Sequence, residues 1–158
     1  MITFRPMRED EYPAYLAYFI PDYAQEIAAN YQLSLDDASA RAKQEIAEDL
    51  PEGVKTPGQV LLCLIACSEQ TEQHVGYLWY KPDTAMRTVF IYDFHIFNDC
   101  QGQGLGKKTL SAFEQELRKQ NFQQIRLRVA GDNTRAQHVY EKSGFGVTGI
   151  NMSKNIEN

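Results

Sequence analysis

The sequence lacks long apolar runs: no stretch approaches the roughly 18 consecutive apolar residues that a membrane span requires. The N-terminal segment "MITFRPMRED" also has no apolar region of the kind found in secretory signal peptides. Both absences predict a protein that is neither exported nor inserted into a membrane. We therefore expect a cytoplasmic protein.

Cysteine and histidine are scarce, with three of each in the chain. Three cysteines cannot all pair, and Cys63 and Cys67 lie in the apolar run "LLCLIAC", where a free thiol behaves as a small hydrophobic side chain. Cys100 has no CxxC partner. Because no spacing typical of metal ligands occurs along the chain, the sequence predicts no metal site.

Basic residues are outnumbered, with 16 Lys and Arg against 21 Asp and Glu and a net charge of −5. This balance argues against a nucleic-acid partner. The charge is also uneven: residues 1–60 hold 11 acidic and 5 basic side chains, whereas residues 101–142 hold 4 acidic and 8 basic ones. Such a distribution suits an anionic cofactor and a cationic partner bound at different places.

The apolar periodicity predicts one domain over residues 1–158. A first strand, "ITFRP", precedes two helical segments, and Pro21 is expected to interrupt the first of them. Three strands follow, then a helix, the strand "IRLRV", the helix "NTRAQHVYEKS" and one or two final strands in "FGVTGINMSK". Because the three middle strands are joined by short polar segments, they form hairpins rather than parallel crossovers. The order predicts an α+β fold with a mixed, mostly antiparallel central sheet flanked by helices.

The segment "DCQGQGLGKKTL" places Gly102, Gly104 and Gly106 at a junction between a strand and a helix. It is not a Walker A loop, because Lys108 stands where a hydroxyl is required, and it is not a dinucleotide fingerprint, because Lys107 replaces the last glycine. Glycines nevertheless let backbone N–H groups point into one concavity, and the helix that begins near Gly104 adds the positive end of its dipole. The segment therefore predicts a phosphate or pyrophosphate site.

A second segment, "DNTRAQHVYEKSGF", carries a polar cap, a small residue and a phenol on one helical face, namely Asn133, Ala136 and Tyr140. Together with Gln101-x-x-Gly104-x-Gly106, this pattern resembles the GNAT superfamily of acetyl-CoA-dependent N-acetyltransferases. The order of helices and strands resembles that superfamily over nearly the whole chain. The segment "DLPEGVKTPGQ" is similar to a poorly characterised bacterial subgroup of it.

The resemblance implies acetyl-CoA as the cofactor. The residues expected to hold its pyrophosphate are consecutive: Gln101, Gly102, Gln103, Gly104, Leu105, Gly106 and Lys107. Phe94 and Ile96 are expected to offer backbone groups to the pantetheine arm, which lies along the strand as an added strand does. Asn133 is expected to contact the same arm with its side chain.

The resemblance also implies direct acetyl transfer in a ternary complex, with Tyr140 as the general acid that protonates the departing thiolate. The general base remains open between Asp93 and His95. Strict alternation places these two on one face of their strand and Phe90, Tyr92, Phe94 and Ile96 on the other, although a bulge would change part of this facing.

The acceptor site is expected to include Tyr92 from the central strand and Glu26 and Tyr31 from the N-terminal helices. The acidic N-terminal half favours a small cationic amine as the acceptor. Two alternatives stay open: acetylation of a protein N-terminus or lysine, and a coenzyme A-binding module without turnover. A homodimer is possible, since members of the superfamily are often dimers.

Overall fold

The computed structural model describes residues 1–156. Its strands are β1 (Ile2–Pro6), β2 (Val60–Cys67), β3 (Glu72–Asp83), β4 (Thr88–Ile96) and β5 (Gln124–Leu127). Its α-helices are α1 (Tyr12–Tyr31), α2 (Leu35–Asp49), α3 (Leu105–Lys119) and α4 (Thr134–Lys142). None of the helices in this part of the chain combines the length and the apolar character that crossing a membrane requires.

The chain divides into two compact units. The sheet unit comprises Met1–Tyr12 and Leu50–Arg128, and so contains every strand together with α3. The helical unit comprises Pro13–Asp49 and Val129–Asn158, and contains α2, α4 and nearly all of α1.

The five strands form one sheet in the order β1-β2-β3-β4-β5. The pairs β1–β2, β2–β3 and β3–β4 are antiparallel, and β4–β5 is parallel. Short connections join the antiparallel middle strands, whereas α3 provides the longer connection that parallel strands need. The predicted α+β fold with a mixed, mostly antiparallel sheet is confirmed.

The core of the sheet unit lies between one face of the sheet and α3. In α3 the buried apolar residues recur every three or four positions, at Leu110, Phe113 and Leu117, as expected for a helix that packs with one face. The Phe113 ring lies 4.9 Å from the ring of Tyr80 and 5.9 Å from that of Phe4, measured between centroids. This packing fixes the position at which α3 begins, directly after the glycine-rich segment.

The helical unit has a smaller core in which α1 and α2 meet through short side chains. Its buried members are Ala24, Ile27, Ala38 and Ala42. The Tyr23 hydroxyl in α1 donates a hydrogen bond to the Glu45 carboxylate in α2. Burial, together with this carboxylate, raises the pKa of Tyr23 well above its usual range.

Pro21 does not interrupt the first helix, so that prediction is wrong. Residues 12–31 form one continuous helix with Pro21 inside it. Aromatic contacts run along the helix on both sides of the proline: Phe19 stacks on Tyr15 at 5.7 Å and contacts Tyr23 at 5.4 Å. We attribute the continuity to this packing, which offsets the hydrogen bond that the proline removes.

The final strands predicted in "FGVTGINMSK" are also absent, because residues 145–156 contain neither strand nor helix. Val147, Ile150 and Met152 are 60%, 80% and 92% exposed, so alternation of apolar residues is not accompanied here by a buried face. Gly146 and Gly149 further weaken the tendency of this segment to form a strand.

Candidate active site

A β-bulge interrupts β4 at Tyr92. On β3, the consecutive residues Trp79 and Tyr80 pair with Asp93 and Ile91, so Tyr92 is the extra residue between the two pairs. A bulge bends a strand and changes which side chains share a face. It therefore decides the surroundings of every residue in the second half of β4.

The bulge divides the face that strict alternation predicts for this strand. Phe94 and Ile96 pack against the core of the sheet unit, which also contains Ile91. Phe90 and Tyr92 contact each other instead, with ring centroids 5.0 Å apart. The prediction that these four even-numbered residues share one face is wrong, because one extra residue reverses the facing beyond it.

Beyond the bulge, the backbone groups of Phe94 and Ile96 point away from β3. The Phe97 N–H donates to a β3 carbonyl at 2.8 Å, and a Cβ on Gly76 of β3 would overlap the His95 carbonyl oxygen. His95 and Phe97 therefore direct their backbone groups toward β3. Because alternate residues of a strand direct N–H and C=O to opposite edges, Phe94 and Ile96 direct theirs to the other edge.

That other edge is the one next to β5, and β5 accompanies β4 only part of the way. The parallel pairing covers Thr88–Ile91 of β4 and ends at the pair Ile91 and Leu127. The edge of β4 from the bulge onward is thus suited to an extended ligand that adds to the sheet as a strand does.

The glycine loop, residues 101–106, leads from β4 into α3. Gly102 and Gly104 adopt φ angles of +82° and +74°, which are strained for residues with a side chain. The first amide that bonds back into the helix is that of Lys108, to the Gly104 carbonyl at 3.1 Å. The amides of Leu105, Gly106 and Lys107 consequently have no acceptor within the helix, and they lie at its positive end.

Gln101 ties this loop to the end of β4. Its side-chain amide donates to the Ile96 carbonyl at 2.9 Å, and its backbone N–H donates to the Asn98 carbonyl at 3.3 Å. Residues 101–104 are exposed, as is Lys107 in the first turn of α3. The loop is therefore anchored at one end and accessible along its length.

Asn133 and Tyr140 both lie at α4 in the helical unit. The Asn133 side chain caps the helix by accepting from the Ala136 N–H at 3.1 Å. At the other end, the Phe145 N–H donates to the Tyr140 carbonyl at 3.0 Å and Gly144 has a φ of +97°, which together form a Schellman cap. The Phe145 ring contacts the half-buried Tyr140 ring at 5.5 Å, so the cap also holds the phenol.

The other two expected acceptor residues lie on α1. Glu26 is half-buried, and Tyr31, at the C-terminal end of the helix, is 37% exposed with the Arg41 guanidinium 5.0 Å from its ring centre. Tyr31 also lines a pocket of about 700 Å³, together with Asn30, Gln32 and residues 153–156.

Comparison with known proteins identifies the family. The profile described as "Acetyltransferase (GNAT) family" matches residues 10–145. The chain belongs to the GNAT family of acetyltransferases. It is 32% identical over 157 residues to a protein named "Uncharacterized N-acetyltransferase YycN" from Bacillus subtilis, with 98% of this chain and 99% of that protein covered. The GNAT chain is thus an acyltransferase, and the family draws its acetyl group from acetyl-CoA.

Solved structures agree with the GNAT assignment. The crystal structure of Bacillus subtilis YycN is similar over 100% of both chains, with a TM-score of 0.90 and 31% identity. The PaiA N-acetyltransferase of Thermoplasma acidophilum, solved with coenzyme A, has a TM-score of 0.70 at 16% identity and covers 96% of this chain and 93% of that one. At that identity the second likeness concerns the GNAT fold alone.

The sequence did not point to Trp79, which lies beneath Tyr92 in this GNAT chain. The two rings stack with centroids 4.7 Å apart and planes 18° apart. Trp79 is 1% exposed, and its indole N–H donates to the Gln59 side chain at 2.8 Å. The sequence shows only a single tryptophan in a predicted strand, and such a residue is as common in a protein core as in a binding site. Tyr92, 40% exposed, is thereby held in a fixed orientation.

A polar cluster in the sheet unit was also missed. Arg5 bonds both oxygens of the Glu11 carboxylate, at 2.7 and 2.8 Å, and so lowers the pKa of Glu11 to about 2. The Cys63 thiol donates to the same carboxylate at 3.7 Å. Burial, and then the Glu11 charge, raise the pKa of Cys63 to about 11. Cys63 is 52 residues from Glu11 in the sequence, so no local spacing could reveal this contact.

Proposed function

We propose that this GNAT acetyltransferase transfers an acetyl group from acetyl-CoA to a primary amine of a small cationic molecule, and that residues 1–158 act as one catalytic domain. The observation that carries the proposal is the combination of the glycine loop and the open edge of β4 in one unit. Amides without helical acceptors lie at the start of α3, and the part of β4 that extends beyond its pairing with β5 precedes them. Both features suit a ligand with a pyrophosphate and an extended arm.

The residues of the loop fit coenzyme A. We propose that Gly102, Gln103 and Gly104 allow close backbone approach, and that the amides of Leu105, Gly106 and Lys107 hold the pyrophosphate. The Gln101 side chain bonds the Ile96 carbonyl, so we assign Gln101 to holding the loop shape as well as to the cradle. The coenzyme A complex of PaiA supports a cofactor of this kind in the fold.

The arm of the cofactor is assigned to three further residues. Phe94 and Ile96 offer it backbone groups at the β4 edge. Asn133 already uses its side-chain oxygen to cap α4. Its side-chain N–H₂ is the group we assign to the arm.

Acetyl-CoA supplies an activated thioester. An amine attacks only when neutral, and a lysine-type amine has a pKa of about 10.4 in water, so a residue must take its proton near pH 7. We assign this step to Asp93, with His95 as the alternative, since both lie on the half of β4 beyond the bulge. The Ile96 N–H, directed to the open edge, stabilises negative charge on the acetyl oxygen. Tyr140 donates the proton that the departing thiolate takes up.

The acceptor is assigned to the surface formed by Tyr92 on Trp79, beside the Asp93 carboxylate, with Glu26 and Tyr31 as further residues of the site. An aromatic face attracts a cation, and a neighbouring carboxylate adds to that attraction. Asp93 pairs with Trp79 across the two strands, which puts the charge next to the stacked rings. This arrangement favours a cationic acceptor.

Tyr92→Ala is expected to raise the KM for the amine roughly tenfold, the effect of losing a cation–π contact of about 1.4 kcal/mol. The kcat and the acetyl-CoA Kd should stay close to those of the unaltered protein. Steady-state kinetics with the best amine measure both. Tyr92→Phe keeps the ring and is the control, and an unchanged KM in Tyr92→Ala would contradict the acceptor assignment.

The experiment that tests the function is a calorimetric titration with acetyl-CoA, followed by a thiol-release screen against small amines, amino sugars and N-terminal peptides. Binding with release for small cationic amines supports the proposal. Release with peptides alone would assign the protein-acetylating alternative. Binding without release over the whole panel would favour the coenzyme A-binding module, and no binding would contradict the glycine-loop assignment.

Gly104→Val is expected to weaken acetyl-CoA binding by about 30-fold or more, because a β-branched residue is strained at a φ of +74° by about 2 kcal/mol and the loop must rearrange. Calorimetry gives the Kd. Gly58→Val is the matched control: Gly58 also has a positive φ, +79°, and open space around it, but it lies outside the loop. Equal affinity in a folded Gly104→Val protein would refute the cradle.

A further inference from the structure

Three side chains that the acetyl-transfer site does not use meet in the sheet unit. Glu11 follows β1 in a 3-10 turn, Cys63 lies in β2 and His74 in β3. One potential ligand atom from each lies within 4.8 Å of the other two. A carboxylate, a thiolate and an imidazole are the three ligand types that zinc prefers in proteins.

The spacing of two of these atoms matches a zinc site. The Cys63 sulfur lies 3.7 Å from the Glu11 Oε2, joined now by the thiol proton. In a tetrahedral site with a Zn–S bond of about 2.3 Å and a Zn–O bond of about 2.1 Å, sulfur and oxygen lie about 3.6 Å apart. A zinc ion can therefore replace the thiol proton with little movement of either side chain.

His74 is held in the manner of a metal ligand. Its Nε2 lies 2.9 Å from the Gly76 carbonyl oxygen, which can only accept, so Nε2 donates there and Nδ1 is the ring nitrogen left to bind a metal. A metal-binding histidine commonly donates its other N–H to such a carbonyl. The Phe97 and Tyr77 rings contact the imidazole in T-shaped arrangements, with centroid distances of 4.9 and 5.2 Å, and so restrict its orientation.

The Glu11 carboxylate is likewise oriented from outside the cluster. Arg5 bonds both oxygens and the Arg8 N–H donates to Oε1 at 2.9 Å, which leaves the Cys63 side of Oε2 for a cation. The Arg5 charge repels a cation and only three protein ligands are present. We therefore expect micromolar rather than nanomolar affinity.

We propose that Glu11, Cys63 and His74 bind one Zn²⁺ ion, with water as the fourth ligand. When the ion binds, the Cys63 thiol loses its proton to solvent and the sulfur bonds the metal. The ion then joins three segments of the sheet unit, β2, β3 and the turn after β1, and is expected to raise the Tm. The proposal does not depend on the acetyltransferase activity.

The test is a titration of the full, untagged, reduced and metal-free protein with Co²⁺, followed by absorption spectroscopy and displacement with Zn²⁺. We expect a thiolate-to-cobalt charge-transfer band that saturates at one equivalent, is removed by Zn²⁺, and accompanies a higher Tm. No band, or a signal that grows without saturation, would overturn the proposal.

Variants assign the ligands. Cys63→Ser should abolish the band, and His74→Ala should weaken Co²⁺ binding by about tenfold or more. His74 is only half-buried, so its variant keeps the test valid if Cys63→Ser does not fold. Cys67→Ser, in the same strand, is the matched control and should keep the band. Loss of the band in Cys67→Ser, or its retention in folded Cys63→Ser, would refute the site.

Discussion

Tyr140→Phe is expected to lower kcat about 100-fold, within the range measured for general-acid groups, while the acetyl-CoA Kd changes by only a few fold. Removing the hydroxyl leaves no proton at this position for the departing thiolate. The ring itself stays, so the contact with Phe145 is kept and the Schellman cap is unaltered. The variant thus separates proton donation from packing.

Steady-state thiol release and calorimetry on the same preparation measure these two quantities. Val139→Ala is the control, because Val139 is the preceding residue of α4 and is 40% exposed. A kcat within twofold of the unaltered protein would remove the acid role from Tyr140. A large loss of acetyl-CoA affinity with little change in kcat would indicate that the phenol serves binding instead.

Gly76→Ala is expected to destabilise the protein by about 3 kcal/mol or more. A Cβ at this position would overlap the His95 carbonyl oxygen, which belongs to the backbone of β4 and cannot rotate away as a side chain can. Both strands are central in the sheet, so neither can shift alone. Since Gly76 pairs with Ile96, we also expect weaker acetyl-CoA binding at the β4 edge.

Urea unfolding measures the free energy, with an unchanged m-value showing that the unfolded state is not altered. Gly131→Ala is the control, because a Cβ at Gly131 meets no atom within 4 Å and its φ is not in the positive region. A variant too unstable to purify folded agrees with the prediction. A loss of less than 1 kcal/mol would contradict the close approach of β3 and β4.

Much of the fold could be predicted from the sequence because its determinants are local. Alternating apolar residues and short polar connections determine the hairpins of β2, β3 and β4, and the glycine loop indicates both its own geometry and the start of α3. The error at Pro21 arose because packing of Phe19 on its neighbours outweighs the local effect of proline. The final strands were predicted from alternation alone, and Ile150 and its neighbours bury no face.

The candidate site could be predicted only where a motif is contiguous. The family pattern in the loop and in α4 gave Gly104 and Tyr140 as candidates, and their roles stay predictions. Periodicity does not encode strand register, which places Trp79 beneath Tyr92. It also does not encode contacts between segments about fifty residues apart, such as the cluster of Glu11, Cys63 and His74.

The bulge at Tyr92 has a consequence for how this strand can evolve. Without the extra residue, Asp93 would follow Ile91 directly and the pairing with β3 would be unchanged. We expect β4 then to be straighter, because a bulge bends its strand. We expect substitutions that keep the apolar pattern to leave this arrangement intact, and a one-codon deletion to straighten β4 and favour further pairing with β5. On this view, the presence of one extra residue in β4, rather than the chemistry of its side chain, controls how much of the β4 edge is left for an added strand.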